Sequence, residues 1–388
     1  MAISARMQKG IARIGTASKG MADRVPLLAQ MNEGARKFSG YNAKEYYHNA
    51  GIFFENQLMV SDYFELDFPG TEYYDLYNIE AEALGQELTW FDNLAPEINH
   101  KNHLIKGPAD LDRLVPPDPK KSGRMPFVLE LKKRALDAGF FPGVRYCAPF
   151  SLAANLCGLQ ELILGIMMNP GFYHRLFTFL TDEVLAPWIY EQRRVTGGES
   201  NAMGADAYAS LPITNPDIIE KFAHAYVLRL REKIGNVSAR GWWGERFEKN
   251  RPEKLAHFMN LKRDAAKPGY YLALDPDPET VGIETFRKYA DDNDMPLMLG
   301  IEATLVSSGP VEKIAERVKK YIQAAGENGR LLLFLNEITK DTPPENVHGA
   351  VHAAKLYGSY PFEPGQFERK FEMPAFPSFE EFRKSCGG

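Results

Sequence analysis

The constraint that narrows the fold most is a rhythm in hydrophobicity. Short apolar runs, several ending in a polar residue, alternate with stretches of helical periodicity. The strand-like runs are Val25–Gln30, Phe64–Phe68, Gly143–Cys147, Ala202–Asp206, Gly235–Ala239, Tyr270–Leu274, Pro296–Ile301 and Leu331–Leu335. Helical patterns cover Pro170–Arg194, Pro216–Lys233, Glu279–Asp292 and Pro310–Gly326. Strands alternating with helices imply a parallel sheet covered on both faces. Eight such runs predict an α/β fold, a closed (β/α)8 TIM barrel over residues 25–358. Residues 1–24 form an N-terminal extension, and residues 359–388 a Phe-rich C-terminal tail.

Composition removes whole classes of function. The chain has 388 residues, 46 Lys and Arg against 51 Asp and Glu, and a net charge of −5. That balance is no electrostatic footprint for nucleic acid. No run of eighteen apolar residues exists, so no membrane helix is expected. Only Cys147, Cys157 and Cys386 are present, without C-x-x-C spacing, so neither a disulfide framework nor a thiolate zinc knuckle is expected. Residues 1–24 carry Arg6, Lys9, Arg13, Lys19 and Arg24 against Asp23 alone. We read them as a mobile basic segment, with an organellar presequence as the alternative and a cytoplasmic location as the default. The tail, with Phe362, Phe367, Phe371, Phe376, Phe379 and Phe382, should wrap onto the barrel or a partner, because bare phenylalanines make a sticky surface.

Barrel active sites lie at the carboxyl ends of the strands. There the sequence offers Asp206, Glu302 and Glu337 as candidate catalytic groups. Tyr73, Tyr208, Arg240, Trp242, Trp243 and Asn336 are the candidate substrate contacts. Aromatics among a few carboxylates suit a flat apolar substrate with a few polar handles. Plainer roles stand beside these. Asp206 can hold a loop amide, Glu302 or Glu245 can pair with Arg240, and a tandem tryptophan can pack a loop.

Three segments carry a resemblance. Ala148-Pro-Phe-Ser-Leu-Ala-Ala153 with the helix through Met168-Asn-Pro170, Asp75-Leu-Tyr-Asn-Ile-Glu-Ala-Glu-Ala-Leu-Gly85, and Asp341-Thr-Pro-Pro-Glu-Asn-Val347 resemble the uroporphyrinogen decarboxylase superfamily, from about Arg24 to Gly358. The resemblance implies a (β/α)8 barrel, and the superfamily includes porphyrinogen decarboxylases and cobalamin-dependent methyltransferases. The decarboxylases carry an Arg-Gln-Ala-Gly-Arg segment after the first strand. Here it reads Met31-Asn-Glu-Gly-Ala35, with Arg36 one place off, so both carboxylate-holding arginines are missing. The thiol-methylating branch holds zinc with His-x-Cys and a later Cys. Here those places read Ser238-Ala-Arg240 and Asn336, so that triad is absent.

The remaining resemblance is to corrinoid-dependent methyltransferases that demethylate aryl methyl ethers. It implies a small aromatic substrate, cobalamin carried by a partner corrinoid protein, and zinc as a Lewis acid on the ether oxygen. Glu302 and Glu337 are the candidate zinc ligands. Glu312, Glu327 and His348 are the alternative set, since they match the Glu-x14-Glu-x20-His spacing of such demethylases. Other readings are a decarboxylase or lyase on a different substrate, a glycosidase-like hydrolase using Asp206 and Glu302, and a corrinoid-protein-binding module without chemistry. A homodimer is left open.

Overall fold

The computed structural model describes residues 2–386. Seven parallel strands carry the core. They are β1 (Leu27–Ala29), β4 (Val144–Cys147), β5 (Ala202–Ala205), β6 (Val237–Arg240), β7 (Tyr271–Leu274), β8 (Leu297–Ile301) and β9 (Leu331–Leu335). A short antiparallel hairpin, β2 (Leu88–Thr89) and β3 (Glu97–Ile98), is inserted after the helix Leu76–Ala83. The strands lie in two arcs, β1-β9-β8-β7 and β4-β5-β6, every neighbouring pair parallel. Among the described residues no ladder joins the arcs, so the predicted single closed cylinder is instead a barrel-like arrangement with two seams.

Side chains alternate across the strands as a period of two requires. Leu331, Leu333 and Leu335 face the outer helices, in one cluster with Ile314, Val318 and Ile322 of helix Val311–Ala325. Leu332 and Phe334 face inward, where they meet Leu28, Leu274 and Met298. This inner cluster is the apolar floor of the barrel.

The run Phe64–Phe68 is the one predicted strand that does not form. Phe64 ends the helix Ala50–Tyr63, Glu65 takes φ 56°, and the Leu66 amide bonds back to Ser61. The edge amides left bare are met by side chains instead. Asp67 accepts from Leu27 N at 2.8 Å. Along the free edge of β4, Glu72 accepts from Gly143 N, Gln192 from Arg145 N at 3.2 Å and Glu80 from Cys147 N at 3.0 Å. Buried backbone donors demand partners, and here carboxylates and an amide stand in for a strand.

The N-terminal residues are not the mobile segment expected. Ser4 caps a helix, Ala5–Ala17, whose Met7 is fully buried and whose Ile14 packs on the inner cluster. Arg6, Arg13 and Arg24 each have a carboxylate partner. Arg13 and Arg24 both bind Asp67, at 2.5 and 2.7 Å, and Arg6 binds Asp62 at 2.5 Å. The tail lies along the outer helices. Phe379 packs on Phe38 and Tyr63, Phe376 stacks on His348 at 4.2 Å, and Tyr63 donates to Pro377 O. No single described helix is long and apolar enough to cross a bilayer.

Asp67 is 1 % exposed and serves two guanidiniums and a strand amide. Asp67→Ala strands all three, so it should cost about 3–5 kcal/mol. Urea unfolding measures the loss, and limited trypsin digestion should show faster cleavage at Arg13.

Candidate active site

Residues just beyond β1, β5, β6 and β9 line one cavity, so the carboxyl ends of both arcs meet at one mouth. Below it lies a cavity of about 550 Å³. The wall from β7, β8 and β9 is apolar, with Leu272, Leu274, Met298 and Phe334. The wall from β4, β5 and β6 carries Arg145, Met203 and Arg240. Tyr73, Tyr77, Tyr208, Trp243 and Tyr270 supply aromatic faces, and Pro96, Glu97 and Ile98 of the inserted hairpin border the opening.

Of the residues singled out from the sequence, Tyr73, Tyr208, Arg240, Trp243 and Asn336 line the cavity. The tandem tryptophan divides. Trp242 is 2 % exposed and turns into the core, while Trp243 faces the cavity. The turn that splits them ends at Gly244, φ 109°, where a Cβ would lie 2.5 Å from Leu211 O.

Asp206 does not face the cavity. It is fully buried, and its oxygens accept from Ser151 N at 2.8 Å and Trp242 Nε1 at 3.0 Å. Burial raises it to about 6 against those hydrogen bonds. It therefore positions the loops after β4 and β6, and the catalytic role expected of it is corrected to that. Glu302 stands at the N-cap position of the short helix Ala303–Ser308, without a side-chain capping bond, and lies outside the cavity lining. The hydrolase reading thus lacks its facing pair of acids. Glu337 also lies outside the lining but touches it through Gln30, which donates to it at 2.6 Å. Burial first, then nearby Glu33, pushes the Glu337 carboxyl up to about 8. That shift favours its protonated form, beside the mouth residues Gln30 and Asn32.

The residues present do not fit zinc. Among the described residues no group of three or more His, Cys, Asp or Glu side chains could hold a metal ion. Glu312 sits in the first turn of Val311–Ala325 and Glu327 beyond its end, so about 20 Å of helix separates them. His348 is buried between Phe376 and Tyr63, where burial drives it down to about 4. That alternative set is corrected, and the pair Glu302 and Glu337 has no third donor to complete a cage.

Sequence reading missed Arg145, Glu72, Met203 and Tyr270. Arg145 is a charge inside the apolar run Val144–Cys147, which is itself a signal of an inward polar contact. Its Nε donates to Glu72 at 2.8 Å. Burial alone would raise Glu72, yet Arg145 and Lys132 hold it below the ordinary carboxylate value. Arg240 pairs with neither Glu302 nor Glu245. Glu245 is taken by Lys262, and the Arg240 guanidinium instead stacks on the Tyr270 ring, 3.7 Å from its centre. Arg36 turns away, donating to Tyr41 O and Asn93 O.

Residues 13–357 match the model of the family described as uroporphyrinogen decarboxylase (URO-D). The chain belongs to that family. A methyltransferase from Methanosarcina mazei shares the fold, with a TM-score of 0.67 at 17% identity, over 90% of this chain and 98% of that one. No curated protein matches by sequence. Within the family frame, the positions of the missing arginine pair are buried apolar sites, since Met31 and Ala35 are both fully buried.

A raised carboxyl makes stability depend on pH with a fixed sign. The folded state keeps the Glu337 proton up to about pH 8, whereas the unfolded chain releases it near 4.5. Stability linked to this group is full below about pH 4.5 and is lost as pH rises toward 8. Glu337→Gln should therefore change little at pH 4 and stabilise the fold at pH 8.5 by about 1–3 kcal/mol. Urea midpoints at the two pH values decide it, and a pH-independent effect would refute the assignment.

Proposed function

We propose that the chain is a methyltransferase that takes a methyl group from a methoxylated aromatic and passes it to a corrinoid protein docked over the mouth. The observation that carries this reading is the aromatic-walled cavity, with Tyr73, Tyr208, Trp243 and Tyr270 around a space with room for a small ring compound. The Methanosarcina mazei neighbour of the same fold, named a methyltransferase, supports the reaction class.

The chemistry asks the chain for three things. The ring must be held so that its methyl faces the mouth, a task that falls to the aromatic walls. The O–CH3 bond then breaks with both electrons left on the ring oxygen. That oxygen needs donors at the mouth, and the side chains of Asn32, Asn336 and Tyr208 line the opening without a hydrogen bond donated to the chain among the described residues. The corrinoid, when its carrier is docked, supplies the electron pair that accepts the methyl. The phenolate finally takes a proton, for which protonated Glu337 behind Gln30 is a nearby source.

A decarboxylase acting on a ring carboxylate is the second reading. What favours it is that Arg145 and Arg240 restore two guanidiniums to the site from strands β4 and β6.

Purified protein incubated with cob(I)alamin and a panel of methoxylated aromatics should form methylcobalamin, read by its absorbance. Trp243→Ala should lower the rate about tenfold or more through lost ring contact. Silence across the whole panel sinks the methyltransferase reading. Carbon dioxide released from an aromatic acid without any corrinoid would install the decarboxylase in its place.

A further inference from the structure

The cationic wall of the cavity has fewer counter-charges than cations. Arg145, Lys132 and Arg240 cluster there, with Glu72 as their carboxylate. Glu72 is spent on Arg145 and on the Gly143 amide. Lys132 lies behind it, donating to Gly143 O, and burial brings it down to about 8. Arg240 is left with no salt bridge among the described residues, and its Nε is buried without a partner. Its Nη1 reaches only the Met203 sulfur, at 2.8 Å, and Arg145 Nη1 meets the same sulfur at 3.0 Å. A thioether is a weak acceptor, so two guanidiniums converge on a point that satisfies neither. A buried cation without a counter-charge is costly, and sites that keep one generally use it on a ligand.

The position of Arg240 is built. Its guanidinium lies over the Tyr270 ring and against Gly269, where an added Cβ would sit 1.9 Å from Nη2. Only glycine leaves that room. The planar fork is thus fixed at cavity depth, below the aromatic faces of Tyr73 and Trp243.

We propose that this fork binds a carboxylate on the aromatic substrate, so that the site selects methoxylated aromatic acids with the acid group on the cationic wall and the methoxy group at the mouth. The inference rests on the aromatic-substrate reading above. It extends that reading by naming the group that the ring must carry. A carboxylate matches a guanidinium in two parallel hydrogen bonds, which a neutral amide cannot. It also brings a negative charge to Arg240, which has no salt bridge among the described residues.

Calorimetric titration of the full chain with 4-methoxybenzoate, 4-methoxybenzamide and 4-methoxyphenyl phosphate, without corrinoid, tests this. The benzoate should bind at least tenfold tighter than the amide and tighter than the phosphate. Arg240→Gln should erase the benzoate preference while amide binding changes less than twofold, and Arg240→Lys should keep part of it. Gly269→Ala, which displaces the fork without removing it, should weaken the benzoate alone. That keeps the idea testable if Arg240→Gln does not fold. Equal binding of benzoate and amide, a preference for the phosphate, a preference that survives Arg240→Gln, or no binding of any probe would each overturn the carboxylate assignment. Benzoate selectivity without methyl transfer would leave the subsite standing and remove the methyltransferase reading. Methyl transfer without acid selectivity would do the reverse.

Discussion

The structure turns on an edge that has lost its strand. A parallel barrel satisfies its backbone amides by placing each strand between two others, and here the second strand is missing. The exposed edges of β1 and β4 still hold buried N–H groups. Asp67 serves one edge, and Glu72, Gln192 and Glu80 serve the other. Three of those four caps are carboxylates, and a buried carboxylate needs either a cation or a proton. Asp67 has two arginines, Glu72 has Arg145, and Glu80, with no cation, is pushed up to about 8 by burial. The N-terminal helix is held by the first of these pairings, and the cationic wall of the cavity begins with the second.

That sequence of needs explains why the cavity is lopsided. β8 and β9 have a strand on both sides and β7 on one, and their inward residues are apolar and form a dry wall. On the opposite side Arg145 must stay charged to support Glu72, and it imposes a like-charged neighbour on Arg240. Burial and Arg145 together make the charge on Arg240 harder to keep, while the Tyr270 ring offsets part of that. A ring compound lying between the two walls meets apolar contact on one side and guanidinium on the other, which fixes its orientation before any group at the mouth acts.

The fold was largely legible because periodicity reports burial. Seven of the eight predicted runs are strands, and each of those seven has a pairing partner in a ladder. Phe64–Phe68 read the same way, since Phe64 and Leu66 are buried. Its apolar side chains pack, but its backbone bonds back into the preceding helix, and a hydrophobic pattern cannot distinguish the two. The site was legible in part. Strand-end position found Tyr208, Arg240, Trp243 and Asn336. It also promoted Asp206, whose two donors come from distant loops that no local pattern reveals. Arg145 was missed because it lies within a strand rather than at its end, although a lone arginine in an apolar run was the signal. The basic N-terminus was misread for a related reason, as its partners Asp62 and Asp67 lie some fifty residues away.

This chain departs from the decarboxylase pattern of its family in where its positive charge lies. Arginines in the loop after β1 would stand at the mouth, where a polycarboxylate can be gathered from solvent. Here those positions are Met31 and Ala35, both packed into the core, and Glu33 beside them accepts the Ala95 amide of the inserted segment. The positive charge has moved to β4 and β6, below the aromatic rings. A cation at that depth acts only on a ligand that has already shed water along the cavity wall. It therefore favours a compound with one charged end and one apolar end over one with charge all round. The aromatic walls and the buried fork are two parts of one requirement on the ligand, and neither alone would impose it.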